Sequence, residues 1–135
     1  MRSVLVFVLV FLLSGFLLHY QIEAGGRGLN WYYDLKQSGQ STVGRITRTE
    51  PSNHEAAYYS FRVGENTYSG EENGNSLSLG SEVRVTYLPS DPSISSLRDP
   101  GVEFREQIVF LVIAALLIAS AVTVLLWFNR RRATT

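Results

Sequence analysis

The stretch Ile108–Phe128, IVFLVIAALLIASAVTVLLWF, contains no charged residue in 21 positions. A helix of this length, at about 1.5 Å of rise per residue, is about 31 Å long and matches the hydrocarbon thickness of a bilayer. Trp127 and Phe128 end the stretch with aromatic rings, which favour the interfacial zone, and the arginines at 130–132 follow directly. The pattern predicts a transmembrane helix over residues 108–128 and a cytoplasmic basic tail over 129–135.

A second apolar run, Val4–Leu18, lies near the amino terminus behind Arg2. Two interpretations of residues 1–22 are open: an uncleaved transmembrane anchor, or a secretory signal peptide cleaved before Gly25. We favour the anchor, because Ile22 is a poor match to the small residue that a cleavage site requires. Finding Gly25 at the mature amino terminus would identify a signal peptide instead.

Charge placement predicts the orientation of the chain. All twelve acidic residues lie between the two runs together with eight of the twelve basic residues, so that the middle carries a net charge of −4. The other four basic residues are arginines outside the runs, and basic residues at membrane ends favour the cytoplasmic side. We therefore expect an integral protein of the plasma membrane with both termini cytoplasmic and residues 23–107 extracytoplasmic.

Residues 23–41 have the composition of a juxtamembrane linker with an aromatic patch. Gly25, Gly26 and Gly28 indicate a flexible exit from the membrane, and aromatic and leucine side chains follow. This patch is open to three interpretations: an interfacial collar, the first piece of the next domain, or an aromatic ligand platform. Its members are Leu29, Trp31, Tyr32, Tyr33 and Leu35.

Residues 42–98 predict a small all-β domain. The segment 42–49 is rich in Thr, Val and Ile, as strands are. Tyr59, Phe61 and Val63 alternate with polar residues, and Gly64-Glu65 can then turn the chain into a second strand through Tyr68, which predicts a hairpin.

The clearest alternation follows in residues 82–87. It predicts Val83, Val85 and Tyr87 inward, with Glu82, Arg84 and Thr86 outward. Pro89 and Pro92 then predict that the chain leaves the sheet as an extended segment, and residues 99–107 a linker to the last helix. The expected fold is two transmembrane helices flanking an antiparallel sheet or partly closed barrel.

These β-motifs resemble the domain-of-unknown-function family 3592. The resemblance is carried by the segment 80–87, GSEVRVTY, by the Pro-x-x-Pro after it, and by Tyr59-x-Phe61-x-Val63 with Tyr68. It covers residues 28–107 in pattern and the two helices in layout. It implies a small membrane-anchored β-domain, and it carries no catalytic residues over to this chain.

The same stretch offers little catalytic chemistry. His54 and Glu55 form the best pair for metal or hydrolytic chemistry, but a zinc site needs three or four converging ligands. Asp91 and Asp99 each precede a proline, which is ordinary turn chemistry, and the acidic loop at 71–76 lacks a recognised calcium spacing. We therefore predict no enzyme, no catalytic, cofactor-binding or metal site, and no cofactor.

The functional prediction is a non-enzymatic interaction or accessory module of an envelope complex. It would present a sheet edge or its Tyr-rich face to a membrane or envelope protein partner or to another copy of itself. Transport is disfavoured because the apolar runs contain no ionisable residue, and nucleic acid because the exposed domain is acidic. The alternative is a metal-dependent or hydrolytic accessory enzyme that uses His54 and Glu55.

Overall fold

A computed structural model describes residues 2–50, 52, 54–73 and 77–132 of the chain. These residues form three helices and five strands in two compact units, a helical one from the two ends of the chain and a β-domain over Asn30–Phe104. The elements are α1 (Arg2–Ala24), α2 (Leu29–Ser38), β1 (Gln40–Glu50), β2 (Ala56–Val63), β3 (Asn66–Glu72), β4 (Glu82–Leu88), β5 (Asp91–Ser96) and α3 (Pro100–Arg132).

In the helical unit, α1 and α3 pack through small residues. Ser14, Ala115 and Ala119 are buried, and a Cβ placed on Gly15 would lie 3.9 Å from the Ala115 Cβ. Small side chains allow two helix backbones to approach closely. Most of the large apolar side chains of both helices point outward, and both helices are long and apolar enough to cross a bilayer, over Val4–Ala24 and Pro100–Asn129.

The β-domain is a five-stranded antiparallel sheet in the order β3-β2-β1-β4-β5. The chain places β4 beside β1 after the meander β1-β2-β3, which is a Greek key. β3 and β5 run in the same direction and contact each other, so the sheet nearly closes on itself. The prediction of a small antiparallel β-domain is confirmed in this form.

The core of the barrel contains the side chains that the alternation placed inward. Tyr59, Phe61 and Val85 are buried, and Tyr68 stacks on Phe61 with 5.9 Å between ring centroids. The predicted hairpin is present, because Val63 pairs with Asn66 across the turn. The remaining buried members of this cluster are Ile46 and Ala57.

Tyr59 spans the interior from β2 to β5. Its hydroxyl lies 3.0 Å from the Ser95 Oγ, and both side chains are fully buried. Gly70 on β3 makes room for the ring, because a Cβ at that position would overlap the Tyr59 phenol. The interior is therefore filled by the domain's own aromatic side chains.

The segment after β4 differs from the extended exit that the prolines predicted. The chain turns at Pro89-Ser90 and returns as β5, which pairs with β4 from Leu88↔Asp91 to Thr86↔Ser96. Pro92 is tolerated because β5 lies at the end of the hydrogen-bonded order, where one side of a strand needs no ladder donors.

Two helical segments replace stretches that the sequence presented as linkers. α2 occupies most of residues 23–41, and its Tyr32 and Leu35 are buried, so this part of the aromatic patch belongs to the β-domain. α3 begins at Pro100, eight residues before the apolar run, because Asp99 Oδ1 accepts hydrogen bonds from the amides of Gly101 (2.8 Å) and Val102 (3.0 Å). That is an N-cap with proline at the first helical position.

Candidate functional site

The structure places His54 and Glu55 in the turn between β1 and β2. Both are exposed, and both have positive φ angles, 50° and 54°. Such angles are costly for residues other than glycine. Within the ranges that the structure describes, no three His, Cys, Asp or Glu side chains are grouped as metal ligands.

The aspartates before proline have local structural roles. Asp91 Oδ1 accepts hydrogen bonds from the Ser93 amide (3.2 Å) and the Ser93 hydroxyl (2.6 Å), which is an Asx turn. Asp99 caps α3, as described above. Asp91 is thus the turn former that its sequence context predicts, whereas Asp99 is the N-cap of a helix.

Of the predicted acidic loop 71–76, Glu71 and Glu72 belong instead to the end of β3, and residues 74–76 lie outside the described part. Glu72 is buried and closes the barrel by joining β3 to β5. Its Oε2 accepts hydrogen bonds from the Ser96 hydroxyl (3.0 Å) and the Leu97 amide (3.4 Å). We call Glu72, Ser96, Leu97, Arg98 and Glu103 the closing seam.

Within the closing seam, Arg98 contacts both the end of β3 and the first turn of α3. Its Nη1 donates to Glu103 Oε1 at 2.9 Å, its Nη2 donates to the Asn73 carbonyl at 2.7 Å, and its Nε lies 3.9 Å from Glu72 Oε1. The hydrogen bond to Glu103 raises the pKa of Arg98; the negative charges of Glu103 and Glu72 act in the same direction, and burial opposes them. The Arg98 guanidinium therefore makes its contacts within the domain and stabilises the closed form of the sheet.

The outer face of the sheet presents a different use of arginine. Val43 on β1 is 66% exposed, and it pairs across the sheet with Arg84 on β4. On the other side of β1, the register that joins Gly44 to Phe61 places Arg62 beside Val43. We call Val43, Arg45, Arg62, Glu82 and Arg84 the Val43 surface; its residues line two adjoining shallow depressions.

Arg62 and Arg84 are exposed, and among the described side chains neither has a hydrogen-bond or ion-pair partner. Arg45 lies 3.9 Å from the Glu82 carboxylate, and both side chains are more than half exposed. Such a pair is held weakly in solvent. The Val43 surface therefore combines three arginines and one glutamate around an exposed valine.

On the neighbouring part of the same outer face, Arg48 is paired with side chains of the domain itself. The Arg48 guanidinium lies 3.8 Å from the centroid of the Tyr58 ring and 3.3 Å from the Glu50 carboxylate. The Tyr58 hydroxyl donates to Glu50 as well, at 3.5 Å. Arg48 is thus paired within the domain, in contrast to Arg62 and Arg84, which have no partner among the residues that the structure describes.

The two surfaces that the sequence proposed for binding have other roles in the fold. The Tyr-rich face is the barrel interior, and the edges of β3 and β5 face each other across the closing seam. The Val43 surface was not identified from the sequence, because only the pairing of β1 with both β2 and β4 brings Arg62, Val43 and Arg84 into one row.

Comparison with family models, with curated proteins and with solved structures found no match for this chain. The resemblance to the domain-of-unknown-function family 3592 stays a prediction.

Proposed function

We propose that this chain is an integral membrane protein whose two apolar helices hold the β-domain at the extracytoplasmic side as a non-enzymatic interaction module. The observation that carries the proposal is the Val43 surface, where an exposed β-branched residue lies between two arginines that have no partner among the described side chains. Interfaces are enriched in arginine, and their centres are apolar.

The filled interior of the barrel supports the same proposal. Tyr59 and Phe61 occupy the space that a ligand inside the domain would need, so binding falls to the outside. The membrane or envelope partner, the orientation with both termini cytoplasmic, and membership of the domain-of-unknown-function family 3592 are parts of this proposal.

Cysteine labelling tests the orientation, because the natural chain contains no cysteine and gives no background. Glu65→Cys, in the β2–β3 turn, should react with a membrane-impermeant maleimide added to intact cells. The matched variant Thr134→Cys, near the carboxyl terminus, should react only after the cells are permeabilised. The reverse pattern would refute the proposed sidedness.

Site-specific photo-cross-linking tests the interaction module in the full-length, membrane-embedded chain. A photoreactive residue at position 43 should give a discrete adduct larger than the 15.1 kDa chain, and one at position 65 should not. Absence of any adduct from positions 43, 45, 62 and 84 would overturn the proposal.

The enzyme alternative makes an opposite prediction about the β1–β2 turn. If the chain is an interaction module, genes for the His54→Ala and Glu55→Ala variants should each restore function to cells that lack the protein. Loss of function in both variants, with the chain still folded and in the membrane, would favour the enzyme.

A further inference from the structure

We propose that the Val43 surface binds an acidic segment of a partner protein, with two carboxylates on Arg62 and Arg84 and an apolar side chain on Val43. This inference rests on the proposed function, because it assumes that the outer face of the domain is a docking surface. It adds the chemistry of the occupant.

The charges of the Val43 surface favour an acidic occupant. Residues 23–107 carry a net charge of −4, yet the Val43 surface contains three arginines. Among the described residues, Arg45 alone of the three has an ion-pair partner, Glu82 at 3.9 Å. Arginine forks bind carboxylates through two parallel hydrogen bonds. A partner that brings carboxylates would supply acceptors for Arg62 and Arg84, which have none among the described residues.

The distance between Arg62 and Arg84 favours an extended peptide segment. Arg62 and Arg84 lie on the strands on either side of Val43, so their backbones are about 10 Å apart, from about 4.8 Å between neighbouring strands. An extended segment that crosses the strands has residues i, i+2 and i+4 on one face and spans about 13 Å from first to last. This span exceeds the separation of the two arginine backbones by about 3 Å, which the long, flexible arginine side chains can cover. The pattern acidic-x-apolar-x-acidic is therefore compatible with the row Arg62, Val43, Arg84.

The exposed valine selects a protein segment over a phosphate polymer. Val43 is 66% exposed. Covering its side chain is favourable only if the occupant brings an apolar group, because the hydrophobic effect requires apolar surface to move from water into apolar surroundings. Glu82 beside it would repel a uniformly charged polyanion. A peptide alternating charge and apolar groups avoids that repulsion by placing its apolar residue at the centre.

The test uses the full chain in nanodiscs of neutral lipid and a labelled peptide with Asp-Ser-Ile-Ser-Asp at its centre. We expect saturable binding that weakens as salt is raised. The joint change Arg62→Gln and Arg84→Gln should weaken binding about tenfold, the combined effect of two exposed charge pairs. The matched control Arg48→Gln, on the self-paired part of the same face, should bind as the natural chain does.

Three further probes distinguish the occupants. The peptide Asn-Ser-Ile-Ser-Asn should bind weakly because it lacks the carboxylates, and Asp-Ser-Ser-Ser-Asp because it lacks the apolar centre. Equal binding of either peptide, or stronger binding of sodium polyphosphate or of anionic vesicles, would overturn the acidic-segment inference. Unfolding curves of each variant show whether a loss of binding comes from a loss of structure.

Failure of this inference is distinguishable from failure of the proposed function. If the position-43 adduct forms in cells and is unchanged by Arg62→Gln with Arg84→Gln, the interaction module stands and the acidic occupant is wrong. If no outer-face position gives an adduct, the proposed function itself fails.

A second variant, Val43→Asp, should abolish the peptide binding and leave the fold intact, because the side chain faces solvent.

Discussion

The closing seam and the Val43 surface use arginine in opposite ways. Arg98 has a hydrogen bond to Glu103, another to the Asn73 carbonyl and an ionic contact with Glu72, all within the domain. Arg62 and Arg84 have no such partner among the described residues. The difference separates a side chain that maintains the fold from side chains that the fold leaves available.

Glu72→Leu tests whether the closing seam maintains the fold. It leaves the buried Ser96 hydroxyl and the half-buried Leu97 amide without their acceptor and removes an ionic contact of Arg98. This change should lower the free energy of unfolding by about 3 kcal/mol. Denaturant unfolding of the full chain in detergent, followed by near-ultraviolet circular dichroism, measures it. Glu82→Leu is the control and should change stability by less than about 0.5 kcal/mol; equal effects would remove the distinction.

Gly70→Ala examines how completely the interior is filled. The added methyl group would overlap the Tyr59 ring, and overpacking of this kind costs about 2 kcal/mol. The neighbouring Ser69→Ala faces outward and should be near neutral in the same unfolding measurement. A neutral Gly70→Ala would mean that the core has room to spare.

Tyr59→Phe isolates the hydrogen bond that crosses the barrel. Removing the hydroxyl leaves the Ser95 Oγ without its partner at 3.0 Å, and the expected loss of stability is about 1 kcal/mol. Tyr33→Phe, on the half-exposed side of α2, serves as the control. If the two variants unfold alike, the Tyr59 hydroxyl contributes nothing to the fold.

The smallest expected effect belongs to the Val43 surface. Arg62→Gln together with Arg84→Gln should change the free energy of unfolding by less than about 0.5 kcal/mol, because exposed substitutions that break no contact are nearly neutral. Thermal unfolding at matched protein concentration checks this. A larger loss would show that these arginines support the fold after all and would weaken the case for a partner.

Local patterns in the sequence were sufficient for the parts of the fold with a strict period. Val83, Val85 and Tyr87 alternate as a half-buried strand should, and Gly64-Glu65 separates two such runs by a tight turn. By contrast, β5 contains Pro92, and proline locally argues against a strand. Its pairing depends on β4 rather than on its own propensity, so it was visible only in three dimensions.

Identification of the Val43 surface required long-range information. Val43 lies in a strand that the composition predicts, but neither its direction nor its neighbours follow from residues 42–49 alone. The alternation that places Tyr68 inward also places Glu72 inward, but only if β3 continues to residue 72, and the composition of residues 71–76 predicts a loop there. The spacing of Tyr32 and Leu35 on α2 was a readable helical signal, and the aromatic composition obscured it.

The position of β1 in the middle of the sheet has a consequence for synthesis. β1 can pair with β2 as soon as both have left the ribosome, whereas its other neighbour, β4, brings Tyr87 to Gln40 across 47 residues of chain. Contacts of such long range form late. We expect nascent chains that end before Arg98 to be protease-sensitive and those that expose α3 to be protected, so that the β-domain is completed only as the second apolar helix is made.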